Sequence, residues 1–91
     1  MLDLTWRPSA RARLASVVDY IAARDPFAAQ RIKNLIDDHI ALARTVPGMG
    51  RPGRVKGTRE LIVHPNYIVV YGHDDDTLTV LRILHARQRY P

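Results

Sequence analysis

Apolar and polar residues change their period along this chain, and each change marks a new element. Leu2, Leu4 and Trp6 alternate with Asp3 and Thr5, the two-residue period of a short strand with one buried face. Pro8 follows, where a fixed φ and a missing N–H suit the first turn of a helix. Ala10, Leu14, Val17, Val18 and Ile21 then recur at helical spacing, while Arg11, Arg13, Asp19 and Arg24 fall mostly off that stripe. Asp25-Pro26 joins an N-capping side chain to a first-turn proline, so one helix stops and another begins almost without a linker. Ala28, Ile32, Leu35, Ile36, Ile40 and Ala43 form the second stripe, and so short a connection predicts an antiparallel hairpin.

From Val46 to Gly53 the periodicity is lost, with prolines and glycines that suit neither a helix nor a central strand, and the stretch reads as a loop. Strand patterns follow, weakly over Arg54 to Thr58 and clearly over Arg59 to Val63, Tyr67 to Gly72 and Leu78 to His85. His64-Pro65-Asn66 and His73 to Asp76 read as the turns between them. Links this short predict antiparallel pairing. The last strand carries Val80, Leu81, Ile83 and Leu84 on both faces, as expected of an inner strand. Leu14, Val17, Ile21, Ile32, Leu35, Ile36, Val69 and Leu81 are the expected core, and Gly53 and Gly57 are expected to serve backbone geometry. The fold class is therefore α+β: an N-terminal strand, an α-helical hairpin, then a three- to four-stranded antiparallel sheet with the helices on one face. Residues 1–91 form one domain.

Composition narrows the functional classes. Hydrophobic residues are 46% and charged residues 25% of the chain, ordinary globular values. No cysteine is present for a disulfide framework or a zinc-thiolate site, which fits a reducing compartment. No apolar run approaches the length of a membrane span, and the first residues do not resemble a signal peptide, so a cytoplasmic protein that contacts no membrane is expected. The formal charge of +5 favours an anionic partner, nucleic acid or an acidic protein segment, although a basic excess also serves solubility alone.

The histidines are scattered through helix, turns and strand end without HxxxH spacing, and Asp74 to Asp76 lack the alternating ligands and later Glu of a calcium loop. Gly48 to Gly53 follows a helix and precedes a weak strand, the wrong context for a phosphate cradle. Neither a metal nor a cofactor is expected. There remain Arg51, Arg54, Lys56 and Arg59 before the sheet and Arg82, His85, Arg87, Arg89 and Tyr90 at its end. If loop and tail meet at one edge, these groups could bind RNA and cleave it, a cation stabilising charge at phosphorus while His85 moves a proton. They could equally dock an acidic protein surface, or simply keep that face solvated.

The order of features resembles the RelE/ParE toxins of bacterial type II toxin–antitoxin systems. The resemblance rests on Trp6 before Pro8 and Ala10, Asp19-Tyr20-Ile21, Asp25-Pro26 with Ala28-Ala29, and Gly50-Arg51. It is strongest in Gly57-Thr58-Arg59-Glu60-Leu61, Tyr67-Ile68-Val69-Val70-Tyr71 and Leu84-His85-Ala86-Arg87-Gln88, and it spans essentially the whole chain. It implies a growth-arresting toxin of the kind linked to plasmid stabilisation. A cognate ParD-like antitoxin, wrapping an acidic C-terminal segment around the toxin, would neutralise it, and the complex would bind operator DNA through the antitoxin. RelE-like members cleave mRNA in the ribosome, whereas ParE-like members poison DNA gyrase. The nucleases commonly carry a basic residue where this sequence has Tyr67, and the hairpin and closing residues look more like the ParE branch. On that reading Arg51, Arg59, Arg87, Gln88, Arg89 and Tyr90 contact gyrase or gyrase-bound DNA, and His85 fixes the strand end. On the alternative, a ribosome-dependent endoribonuclease, Arg59, Arg82, His85 and Tyr90 are the catalytic candidates.

Overall fold

The computed structural model describes residues 1–91. In chain order the elements are β1 (Asp3–Trp6), α1 (Pro8–Ala22), α2 (Pro26–Thr45), a 3₁₀ turn (Pro47–Met49), β2 (Arg51–Pro52), β3 (Arg59–His64), β4 (Tyr67–His73) and β5 (Thr77–His85). Both helices open on proline, as the sequence pattern requires. The Asp25 side chain accepts from the N–H groups of Phe27 and Ala28 at 3.1 and 3.0 Å, satisfying two of the free donors of α2. Neither helix is long and apolar enough to cross a membrane.

The five strands form one sheet in the order β1-β5-β4-β3-β2. β2 through β5 pair antiparallel, but β1 runs parallel to β5, Asp3 opposite Thr77 and Trp6 opposite Val80. The four antiparallel strands β2 to β5 are the sheet expected, and the parallel N-terminal strand adds a fifth, which makes the whole sheet mixed. The N-terminal strand joins it because the hairpin carries the chain across to the far edge and the later strands step back. β5 is indeed an inner strand, between β1 and β4. Arg54 to Thr58 form no strand, and the only pairing before β3 is the two-residue β2 inside the stretch read as loop. Pro52 lies on that outermost strand, where a missing N–H costs the ladder nothing.

The main core lies between helices and sheet. Ala10, Ile32, Ile36, Ile40 and Ala43 pack on Leu61, Val63, Val69, Tyr71, Leu78, Val80 and Ile83. Leu14 and Ile21 are only partly buried at its margin. A bulge between Val70 and Tyr71, where Val70 faces Arg82 and Tyr71 faces Val80, leaves Leu81 as the extra residue of β5. The bulge resets the alternation, so Val80 and Ile83 both face the helices, and Leu81, expected in the core, is half-buried instead.

Tyr71 anchors the loop before the sheet. Its ring is fully buried, its hydroxyl donates to the Pro47 carbonyl, and it accepts from the Gly50 N–H at 3.1 Å. Tyr71→Phe leaves both backbone groups unpaired and is expected to cost about 1–3 kcal/mol in urea unfolding. A loss below about 0.5 kcal/mol would show that the loop does not depend on this phenol. Glycine is required at two points: Gly57 has φ 84°, and a Cβ on Gly53 would lie 2.0 Å from Thr58 Oγ1 and 3.0 Å from the Thr58 backbone. In the β4–β5 turn, the N–H groups of Asp76 and Thr77 both donate to Asp74 at 2.8 Å. Those bonds, the Asp76 one first, hold the Asp74 carboxyl below its ordinary value. The three aspartates thus form a hairpin turn, and no three His, Asp or Glu side chains converge as metal ligands.

Candidate functional site

The sheet has a second, smaller apolar cluster on the face that no helix covers. Ile68, Val70 and Leu84 are buried there, with Leu81, Ala86 and Tyr90 packed against them. Their burial comes from the closing residues of the chain, which turn back after β5. The Ala86 N–H donates to the Asn66 carbonyl at 2.8 Å, and the Gln88 N–H donates to the His85 carbonyl at 2.9 Å. Tyr90 then lies under the Arg82 guanidinium, 4.7 Å from the ring centroid, an arrangement favoured by the negative face of the ring.

Loop and tail meet on this face, as the sequence pattern allows. Arg54 Nη1 donates to the Gln88 carbonyl at 3.3 Å. Beneath them lies Glu60, which alternation along β3 places opposite Leu61 and beside Val70. Arg51 donates to Glu60 Oε1 through Nε at 3.0 Å and Nη2 at 2.8 Å, and Arg54 Nε lies 3.4 Å from Oε2. Arg87, Gln88 and Arg89 stand exposed on the tail. The result is a cationic rim of Arg51, Arg54 and Arg82 around an apolar floor, with the Tyr90 ring against it and the exposed Arg87 and Arg89 on the adjoining tail.

Two of the sequence-selected residues lie elsewhere. Arg59, on the helix side of β3, donates to the Gly50 carbonyl at 2.7 Å and holds the loop before the sheet. His85 also lies on the helix side, beside Arg13, Ser16, Val17 and Tyr20 of α1. Its ring meets Tyr67 edge-on at 5.7 Å, and its Nδ1 accepts from the Arg87 N–H at 3.2 Å. Of Arg59, Arg82, His85 and Tyr90, only Arg82 and Tyr90 are brought together. Of the target-binding set, Arg51 and Tyr90 lie on the helix-free face, Arg87, Gln88 and Arg89 are exposed on the tail that crosses to it, and Arg59 lies on the helix side.

Sequence reasoning missed two groups. Glu60 is the only buried charged residue, and its signal was an acid directly before the apolar run Leu61-Ile62-Val63, with Arg51, Arg54 and Arg59 preceding it. Arg7 and Arg13 flank a 330 Å³ cleft where β1 has ended and β5 runs on, shared with Arg82, Leu84 and Gln88. That placement depends on the parallel pairing of β1, which no local pattern announces.

Comparison with known proteins returns toxins. The family model of the ParE toxin of the type II toxin–antitoxin system, parDE, matches residues 4–90. Y4kP of Sinorhizobium fredii is 36% identical over 89 residues, covering 97% of this chain and 92% of that protein. Toxin RelE2 of Caulobacter vibrioides is 33% identical over 86 residues, covering 94% of this chain and 97% of that protein. A chain from the chromosomal ParDE system of P. aeruginosa has the same fold, with a TM-score of 0.79 at 24% identity over 93% of this chain and 96% of that one. The order β1, helical hairpin, β2 to β5 is thus the fold of these toxins, and the chain belongs to the ParE toxin family of type II toxin–antitoxin systems.

Proposed function

We propose that this toxin inhibits DNA gyrase through the helix-free face of its sheet and is neutralised by a ParD-like antitoxin. The observation that carries the gyrase reading is the separation of His85 from Arg82 and Tyr90 by the sheet. Phosphodiester cleavage needs a proton-transfer group within hydrogen-bond reach of the reacting oxygen, beside the cations that stabilise the phosphorus centre. Here the imidazole faces α1, with Arg13 and Tyr67 as its neighbours, while Arg82 and Tyr90 of the nuclease set stand on the other side. A cationic rim with an aromatic ring against it is suited to holding a partner by charge and contact area.

The antitoxin has a different surface available. The cleft between the hairpin and the β3–β4 turn, 310 Å³ in volume, is lined by Ile21, Ala28, Ile32, Leu35 and Tyr67 with Arg31 at its margin. An amphipathic segment carrying acidic residues would bury its apolar side there and pair with Arg31. The P. aeruginosa neighbour is described as part of a ParDE system, which fits a ParD-like partner. Operator DNA would be bound through that antitoxin.

Purified toxin is expected to block gyrase supercoiling while mRNA in a translating extract stays intact. Codon-phased mRNA cuts with normal supercoiling would instead establish the RelE-like alternative, a ribosome-dependent endoribonuclease, and would return Arg82, His85 and Tyr90 to the catalytic list.

A further inference from the structure

We propose that Glu60 is the positioning residue of the helix-free face: its buried carboxylate sets Arg51 and Arg54, and Arg54 fixes the tail that carries Arg87, Arg89 and Tyr90. Glu60 is 2% exposed. An acid in that place is expensive for the fold, because a buried carboxylate loses its hydration and regains it only through close cations and hydrogen bonds. The sheet does not call for one. The neighbouring strand offers Val70 at the paired position, so a β-branched apolar residue would satisfy the same space.

What the carboxylate does is hold two guanidinium groups at once. Oε1 takes both of its hydrogen bonds from Arg51, whereas Oε2 accepts no hydrogen bond and faces only Arg54 Nε. One negative charge between two positive ones leaves a net cation and keeps two like charges from driving each other apart. Both arginine side chains remain partly open, 49% exposed for Arg51 and 34% for Arg54, so their unused N–H groups still face outward. Arg54 then reaches the Gln88 carbonyl. The polar path Glu60, Arg54, Gln88 ties the tail to the sheet, and Arg82 clamps it again at Tyr90.

The importance of this positioning for toxicity rests on the gyrase reading, but the positioning itself is read without any target. Glu60→Gln keeps the volume and removes the charge. In amide hydrogen exchange of the folded toxin, the Ala86 and Gln88 N–H groups are expected to exchange about tenfold faster, the equivalent of one lost charge-assisted hydrogen bond, while the N–H groups of Val69 and Val70 in β4 keep their rates. Equal acceleration at tail and β4 would make Glu60 a general stabilising residue and overturn the proposal, as would unchanged exchange at both. Arg54→Ala leaves Glu60 its Arg51 partner and guards against a Glu60 variant that does not fold. It is expected to loosen the same two amides, and a tail that stays protected overturns the proposal. Supercoiling inhibition is read in parallel: a loosened tail with undiminished inhibition keeps the positioning role and removes the target-face reading instead.

Discussion

Ile36→Ala lowers the stability of the folded chain by about 2–5 kcal/mol, enough to move the thermal midpoint by at least about 10 °C in a domain of this size. Ile36 has no exposed surface, and it sits in the stripe of α2 with Ile32, Ile40 and Ala43 against the sheet. Truncating it removes apolar contacts and leaves a cavity that neighbours on two packed layers cannot fill without shifting together. Urea unfolding followed by circular dichroism measures the loss. The same truncation at Leu81 is the instructive contrast. Leu81 is half-buried beside the bulge of β5, so Leu81→Ala is expected to cost clearly less than Ile36→Ala. Equal losses at the two positions would show that the smaller cluster on the helix-free face carries as much of the stability as the main core.

On the proposed gyrase reading, replacing Arg87 and Arg89 together by Ala is expected to weaken gyrase inhibition on the order of a hundredfold, with folding stability unchanged within about 0.5 kcal/mol. Both side chains are exposed on the tail and take part in no ion pair, so the fold does not rely on them. Each could donate charge-assisted hydrogen bonds to an acidic group of the target, and about 1.4 kcal/mol of lost binding is a factor of ten. A supercoiling titration gives the inhibitory concentration, and binding of the antitoxin, proposed for the hairpin cleft, serves as the internal control. Full inhibition by the double variant would move the target contact off this face.

The sequence was most readable where one local rule decided the outcome. Asp25-Pro26 stops one helix and caps the next, and the unbroken apolar run from Tyr67 to Tyr71 reads as a strand covered on both faces. It was least readable where two distant segments decide together. The five residues from Val80 to Leu84 include four apolar ones, so the pattern could not reveal that the bulge turns Val80 and Ile83 toward the helices. Arg59 and Arg82 look alike as strand arginines, yet one holds backbone carbonyls of a loop and the other stacks on Tyr90. The meeting of loop and tail was legible from charge and position, but the buried acid beneath them was not. Its role is defined by partners six and nine residues earlier in sequence, across a turn and a two-residue strand.

The parallel pairing of β1 with β5 also bears on when this protein can become harmful. Asp3 meets Thr77 and Trp6 meets Val80, so the sheet is closed by a contact between segments more than seventy residues apart. Contacts of such high order form late, because a long loop must be ordered before they contribute. During synthesis β1 therefore waits without its neighbour until the chain beyond Thr77 has emerged, and the arginine-rich tail follows only after that. A chain interrupted anywhere before β5 lacks both the strand at the heart of the sheet and the residues proposed to touch the target. Incomplete translation thus leaves a chain whose sheet cannot close and whose cationic tail is missing.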